Sequence, residues 1–203
     1  WAGPAEDEHF KAPPLLLART DGSTPFRFCL HVGDVGHTLV VGPTGAGKSV
    51  LLAMMALQFR RYEGAQIFAF DFGGSLRAAV LGCGGAWQDL GGGLSDDGED
   101  AVRLQPLARI DDLAERAWAA EWVASLFAHE RVDVTPEVKE ALWSALTSLA
   151  SAPPEERTLT GLSVLLQSNA LKAALLPYTL EGPFGRLLDA AEDRLTLSDV
   201  QCF

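Results

Sequence analysis

Residues 42–49, which read Gly-Pro-Thr-Gly-Ala-Gly-Lys-Ser, have the types and spacing of a phosphate-binding loop. The glycines of this pattern let the backbone wrap around a phosphate chain, so that its N–H groups face the negative charge. Lys48 is expected to reach the β- and γ-phosphates, and the Ser49 hydroxyl is expected to hold Mg²⁺. The motif therefore predicts that the chain binds a nucleoside triphosphate.

The predicted nucleotide contacts extend over the whole loop and into the helix that should follow it. Loop amides and a helix N-terminus together form a site for phosphate. The predicted contacts are Gly42, Pro43, Thr44, Gly45, Ala46, Gly47, Lys48, Ser49 and Val50. Lys48 and Ser49 are also the predicted catalytic residues, and Ser49 is the predicted Mg²⁺ ligand.

Asp71 is a further candidate for the catalytic site, because it ends an apolar stretch as a metal-binding acid often does. It follows Lys48 closely, however, and Phe72 and two glycines stand where a catalytic glutamate would be wanted. Two roles stay open for Asp71: contact with Mg²⁺ or water, and a structural or interface role. The Asp-Phe-Gly triplet also occurs in protein kinases, but that class is excluded because His-Arg-Asp and the kinase glycine loop are absent.

The sequence on either side of the loop predicts the elements that should position it. Residues 37–41 form a short apolar run with β-branched side chains, typical of a buried strand. Residues 50–59 contain good helix formers with no Gly or Pro, and residues 65–71 read as another strand. Strand, helix and strand at this spacing predict a parallel βαβ unit within an α/β fold.

The remaining segments predict a hairpin, several helices and further short strands. The hairpin pairs residues 15–19 with 25–32, and Asp112 with Glu115 resembles a capping box. Trp118, Trp122 and Trp143 are expected to pack in a core rather than to stack on bases. The predicted elements are a helix at 75–81, a strand at 87–90, a Gly- and Asp-rich loop at 91–100, helices at 112–129, 135–151 and 162–176, and a strand beginning within 195–203.

These elements predict four regions of the chain. They are an N-terminal segment with a short β-hairpin (1–35), a P-loop βαβ core (36–92), a mostly helical subdomain (93–190) and the start of a further core strand (191–203).

Composition restricts the possible partners. The net charge of −11 argues against a surface that follows a nucleic-acid backbone, so direct nucleic-acid binding is not expected. Cys29, Cys83 and Cys202 are widely spaced, which suits a reducing compartment. No signal peptide or membrane-length apolar run is visible. The chain begins at Trp1, so we expect a fragment.

Several stretches together resemble the TrbE/CagE/VirB family of type IV secretion ATPases, most of all the TrbE branch of conjugative transfer. They are residues 25–28 and 31–38 leading into the loop, then 70–71, 74–75, 84–85, 89–92, 182–185 and 188–189. The resemblance covers most of the chain from about residue 15 onward. It departs from the family at Phe72, where a charged residue is usual.

This resemblance implies a P-loop NTPase with a RecA-like parallel sheet and an α-helical insertion, which uses ATP and Mg²⁺. The family's loop residues carry over onto Gly42, Gly47, Lys48 and Ser49. It also implies a homo-oligomer, with a hexamer as one candidate, that works with other secretion-system subunits in pilus assembly and substrate transfer. Its place would be the cytoplasm, peripheral to the bacterial inner membrane.

Two other functions stay open from the sequence. One is a DNA translocase of the FtsK/HerA type, and the other is a nucleotide-binding assembly module without turnover. A GTPase is disfavoured, because no Asn-Lys-x-Asp motif occurs. No Walker B pair or later arginine motif is identifiable before Phe203, so we expect weak turnover by residues 1–203 alone.

Overall fold

A computed structural model describes residues 2–90 and 102–203 of the chain. They divide into two compact units. The sheet unit contains the described residues up to Asp89 together with Thr196–Phe203, and the helical unit contains those of Leu90–Leu195. The loop predicted at 91–100 lies outside the described residues.

The sheet unit begins with the predicted hairpin, which the structure confirms. Strands β1 (Leu16–Ala18) and β2 (Phe26–Phe28) pair antiparallel, with Leu16 opposite Phe28. The Thr20 hydroxyl stabilises the turn between them by donating to the Thr24 carbonyl at 2.8 Å. This local bond fixes the chain reversal, as short hydroxyl side chains do in turns.

A parallel three-stranded sheet forms the centre of the sheet unit. Helix α1 (Lys48–Phe59) precedes strand β3 (Ile67–Ala69), and helix α2 (Arg77–Gly82) precedes strand β4 (Ala86–Trp87). The last strand, β5 (Val200–Cys202), lies between β3 and β4 and is parallel to both. The sheet confirms an α/β arrangement. Its small core contains Val80, Val200 and Cys202, with Ile67, Ala69, Leu76, Cys83 and Trp87 packed against them.

The prediction of a buried strand at residues 37–41 is wrong. These residues form no strand, and the side chains of Leu39 and Val41 are 87% and 82% exposed. A strand needs a neighbour that offers backbone donors and acceptors, and none of the described residues offers them to this segment. The predicted βαβ unit is therefore not formed, and β3 pairs with β5 instead.

The helical unit contains five α-helices among its described residues, and three have side-chain caps at their N-termini. They are α3 (Leu113–His129), α4 (Pro136–Leu149), α5 (Leu159–Leu165), α6 (Asn169–Leu175) and α7 (Gly185–Leu188). Asp112, Thr135 and Thr158 accept backbone N–H groups at the starts of α3, α4 and α5. Such caps satisfy amides that the helix itself leaves unpaired.

Two details of the helical prediction need correction. The single helix predicted at 162–176 is two helices, because the backbone is extended at Leu166 and Ser168. Of the predicted capping box, Asp112 fulfils its role, but the Glu115 carboxylate pairs with Arg109 at 2.9 Å. Ser and Asn next to the break favour helix ends over helix interiors, which accounts for the interruption.

Aliphatic side chains and Phe127 make the core of the helical unit. Leu107, Val123, Leu146 and Leu162 are among its fully buried members. The expectation that the three tryptophans belong to this core is wrong for two of them, since Trp118 is 51% and Trp143 is 39% exposed. Trp122 packs partly buried against the core, and its ring also stacks on that of Trp118.

Candidate nucleotide-binding site

The glycine-rich loop adopts backbone angles that only glycine takes without strain. Gly45 and Gly47 have φ values of +81° and +84°, in the left-handed region. Between them the Ala46 N–H donates to the Pro43 carbonyl at 3.3 Å and closes the loop. Two of the three glycines of residues 42–49, Gly45 and Gly47, are thus required by the shape of the loop.

The start of α1 has no side-chain cap. Gly47 is the N-cap residue and lacks a side chain that could accept hydrogen bonds from the first amides. The first N–H groups of a helix have no partner within the helix, and the helix dipole favours negative charge beside them. Ser49 and Val50 lie in this first turn and are exposed. The arrangement suits a phosphate group.

The Lys48 ammonium lies over the loop. Its Nζ donates to the Gly42 and Pro43 carbonyls, each at 2.8 Å. These bonds hold the one cationic side chain of residues 42–50 against the glycine-rich loop. A lysine ammonium carries three donors, so it can bond to an anionic oxygen as well. The residues present therefore fit a nucleoside triphosphate with its metal ion, in which the Ser49 hydroxyl would be a metal ligand.

Asp71 has hydrogen-bond partners within its own turn. One carboxylate oxygen accepts the Leu76 N–H at 2.6 Å and the Ser75 hydroxyl at 3.1 Å, and the other accepts the Gly73 N–H at 3.2 Å. The Leu76 amide, followed by the Ser75 hydroxyl, holds the pKa of Asp71 below its ordinary value. No hydrogen bond among the described residues joins Asp71 to the loop at 42–49. This geometry supports the structural role of Asp71 over the metal role.

The partners that fix this turn were not predicted from the sequence. Ser75 and Leu76 start the approach to α2, and Gly74 before them has a φ of +65°. An Asp with two glycines and a serine within the next four residues is a signal for such a turn, because Asp side chains bond readily to backbone groups just ahead of them. The sequence analysis treated Asp71 as a candidate catalytic acid and therefore did not predict this turn.

A second set of residues that sequence reasoning missed anchors the far end of α1. The Phe10 ring stacks on Tyr62 at 4.7 Å and meets the edge of Phe59 at 5.5 Å. The Tyr62 hydroxyl donates to the Pro13 carbonyl at 3.0 Å, and Arg61 donates to the Leu15 carbonyl at 2.8 Å. The N-terminal segment thus holds the helix that carries Lys48. No local pattern reveals these contacts, which join positions far apart in sequence.

Among the described residues, none of the helices combines the length and the apolar character needed to cross a membrane.

Comparison with known proteins relates the chain to secretion and conjugation proteins. It is 46% identical to a probable conjugal transfer protein TrbE of Sinorhizobium fredii, over all of the chain and 31% of that protein. It is also 46% identical to the conjugal transfer protein TrbE of Rhizobium radiobacter, over 95% of the chain and 23% of that protein. The type IV secretion system protein virB4 of Bartonella henselae is 26% identical, over 90% of the chain and 23% of that protein. The chain thus spans less than a third of the length of these relatives. No protein-family model matches it.

Proposed function

Since the chain belongs to the family of the TrbE conjugal transfer proteins and the more distant VirB4 proteins, we propose that it is the ATP-binding part of a conjugative transfer motor. The motor would use ATP hydrolysis to power pilus assembly and substrate transfer. The observation that carries the proposal is the loop itself, where left-handed Gly45 and Gly47, an uncapped helix start and Lys48 occur together.

Each loop residue has a role in this proposal that follows from its chemistry. Backbone N–H groups of residues 44–50 would donate to phosphate oxygens, except that of Ala46, which already donates to the Pro43 carbonyl. The Lys48 ammonium would neutralise charge on the β- and γ-phosphates. The Ser49 hydroxyl would be one ligand of Mg²⁺, which would supply positive charge beside the phosphate oxygens. Gly42 and Pro43 contribute their carbonyls, which keep the Lys48 ammonium at the loop.

Hydrolysis needs further chemical groups, and the described residues offer a candidate for only one of them. An acid on the metal, a group that orients the attacking water and an arginine from a neighbouring subunit are the usual additions. Asp71 is the described candidate for the acid, and its carboxylate already accepts from Gly73, Ser75 and Leu76. We therefore propose that residues 1–203 bind ATP and that efficient turnover needs groups outside them, supplied in a homo-oligomer.

We propose the partners and the cellular location of the motor from its family. The relatives are described as conjugal transfer and type IV secretion system proteins. Other secretion-system subunits are the proposed partners, and the cytoplasmic face of the inner membrane is the proposed place of work. A DNA translocase is less favoured, because the chain carries a net charge of −11.

Titration calorimetry with Mg-ATP tests the binding step. Lys48→Ala is expected to weaken binding about tenfold or more, because it removes a charge-assisted hydrogen bond to phosphate. Lys139→Ala is the matched control, since Lys139 is an exposed lysine on α4. Equal affinity of the Lys48 variant and the unaltered chain would contradict the proposal.

Phosphate release separates binding from turnover. Residues 1–203 are expected to hydrolyse ATP no faster than their own Lys48→Ala variant. Clear turnover that depends on Lys48 would show that the catalytic acid lies within the chain, with Asp71 as the first candidate.

A further inference from the structure

Helix α1 carries Lys48 at its start, yet little of the helix is buried in the sheet unit. It has no fully buried residue. The described core of that unit, built around Val80, Val200 and Cys202, includes no residue of α1. A helix of 12 residues is about 18 Å long, so a small change of its direction at one end displaces the other end. The position of Lys48 therefore depends on what holds α1 outside this core.

The N-terminal segment holds the far end of α1 with rings and hydrogen bonds. The Phe10 ring stacks on Tyr62 at 4.7 Å and meets the edge of Phe59 at 5.5 Å. The side chains of Arg61 and Tyr62 donate to the backbone carbonyls of residues 13–15 at distances of 2.8–3.1 Å. We call this set of contacts the latch. It joins positions 46 to 49 residues apart along the chain, so it fixes the helix to a distant segment.

The turn that presents Phe10 to α1 has a fixed shape of its own. Asp7 is 1% exposed, and one oxygen of its carboxylate accepts the His9 and Phe10 N–H groups at 3.1 and 3.3 Å. The Asp7 N–H donates to the Ala12 carbonyl at 2.8 Å and closes the turn. The ring of His31, just after β2, stacks on His9 at 4.1 Å and meets Phe10 edge-on at 4.7 Å. These contacts fix the turn, so Phe10 meets α1 in a defined orientation.

The start of α1 has no comparable anchor among the described residues. Its N-cap residue, Gly47, has no side chain that could form one. The Lys48 ammonium bonds to the Gly42 and Pro43 carbonyls, which belong to the same loop and move with it. The latch thus fixes one end of the helix, and the loop is carried at the other end.

We propose that Phe10, Arg61 and Tyr62 are positioning residues of the nucleotide site, which act on it by setting the direction of α1 through the latch. The proposal rests on the proposed function, because it concerns the control of ATP binding by the same loop. Attachment of the latch and binding of Mg-ATP strengthen each other, since coupling between two sites is reciprocal. Any partner that draws the N-terminal segment away from α1 therefore lowers the affinity for Mg-ATP, which makes this segment a control element of the motor.

Titration calorimetry with Mg-ATP tests the coupling at a temperature where circular dichroism shows every variant folded. Phe10→Ala is expected to weaken binding about tenfold, which lies within the usual range of coupling between sites. Phe10→Tyr is expected to keep the affinity, because its ring can stack on Tyr62 in the same way. Val80→Ala is the matched control, since it truncates a buried side chain of the same unit outside the latch. It should lower stability without weakening binding.

The outcomes separate this proposal from the proposed function. Unaltered affinity of Phe10→Ala beside weakened binding by Lys48→Ala would overturn the positioning role and leave the proposed function standing. Unaltered affinity of Lys48→Ala would overturn both. Equal weakening by Phe10→Ala and Val80→Ala would also overturn the positioning role, because a general loss of stability then accounts for both variants.

Fluorine NMR measures the same coupling from the other side and needs no substitution in the latch. The chain has two tyrosines, Tyr62 in the latch and Tyr178 in the helical unit, so labelling with fluorotyrosine gives one signal for each. Just below the unfolding midpoint, Mg-ATP is expected to move the Tyr62 signal away from that of free tyrosine, because binding lowers the population of the detached latch. The Tyr178 signal should stay in place, and neither signal should move in Lys48→Ala. A Tyr62 signal that saturating Mg-ATP leaves unmoved, or that moves together with Tyr178, would contradict the proposal.

Discussion

Phe127 and Phe72 show the difference between the two units of the chain. Phe127, on α3 of the helical unit, is 0% exposed and belongs to a continuous apolar core. Phe72, which follows β3 in the sheet unit, is 107% exposed. The same side chain is thus part of the core in one unit and fully in solvent in the other.

The difference follows from how helices and strands satisfy their backbone. Each helix of the helical unit bonds most of its own amides and carbonyls within itself, and needs neighbouring elements mainly for its apolar face. A strand needs a neighbour for its backbone as well, and β3 has one on a single side among the described residues. Helix α1 likewise has no fully buried residue. The unit that carries the glycine-rich loop therefore has only a small core among its described residues, whereas the helical unit has a large one.

The largest expected effect is on function, and it comes from a substitution in the glycine-rich loop of the sheet unit. If the proposed function holds, Lys48→Ala in the full-length protein should reduce conjugative transfer on the order of a hundredfold or more, because the proposed phosphate site loses its cation. Its thermal unfolding should be unchanged, since within the described parts of the chain the Lys48 ammonium bonds to the Gly42 and Pro43 carbonyls of its own loop alone. Mating assays with matched expression levels measure the effect, with Lys139→Ala as the control. Normal transfer by a stably expressed Lys48 variant would refute the assignment.

A matched pair of substitutions measures the contrast as stability. Phe127→Ala should lower the free energy of unfolding by about 3–5 kcal/mol, because it leaves a cavity in a packed core. Phe72→Ala should change it by less than about 0.5 kcal/mol, since its ring is already in solvent in this chain. Urea unfolding followed by circular dichroism gives both values. Similar losses for the two variants would show that Phe72 is buried in solution.

A smaller effect distinguishes the two roles of Asp71. Asp71→Asn should lower the free energy of unfolding by about 1 kcal/mol, because the carboxylate accepts the Leu76 and Gly73 amides. Its affinity for Mg-ATP should be unchanged. The pKa of Asp71 is lowered in the folded chain, so its contribution is complete above the ordinary value of 3.8 and is lost as the pH falls below it.

The control for Asp71 is Asp21→Asn, in the exposed turn between β1 and β2. It should change neither stability nor affinity. A loss of Mg-ATP affinity in the Asp71 variant alone would return this residue to the metal site.

Local signals explain which elements of the structure were predictable from sequence. Asp112 and Thr135 each cap the helix that follows them, and a cap acts within three residues, so α3 and α4 are placed correctly. The hairpin of β1 and β2 is equally local. The shape of the glycine loop also follows from its own residues, although the nucleotide contacts assigned to it stay predictions.

The errors occur where the outcome depends on distant neighbours. Residues 37–41 have the composition of a buried strand, yet no described strand lies beside them to pair with. Trp118 and Trp143 have core-type side chains, but aliphatic residues already fill the core of the helical unit. The contacts of Phe10 with Phe59 and Tyr62 join distant positions in the same way. Such features depend on what else packs nearby, which composition and spacing do not specify.

The last predicted effect, similar in size to that of Asp71, concerns Tyr178 of the helical unit. Its hydroxyl donates to Glu130 Oε1 at 2.9 Å, and burial, followed by this bond to Glu130, raises the pKa of Tyr178 from 10.0 to about 12. The folded chain therefore keeps this proton to a higher pH than the unfolded chain does. Its contribution to stability is complete below about pH 10 and is lost as the pH rises towards 12.

Tyr178→Phe removes both the hydrogen bond and the titration. The variant should be less stable by about 1 kcal/mol at neutral pH, because the Glu130 carboxylate loses a partner. Between pH 10 and 12 its unfolding free energy should fall less steeply with pH than that of the unaltered chain. Tyr62→Phe in the sheet unit is the comparison, since the pKa of Tyr62 is also raised, mainly by burial. If Tyr178→Phe leaves the alkaline slope of helical unfolding unchanged, then Tyr178 ionises as an exposed tyrosine does, and the core of the helical unit is open to water near that ring.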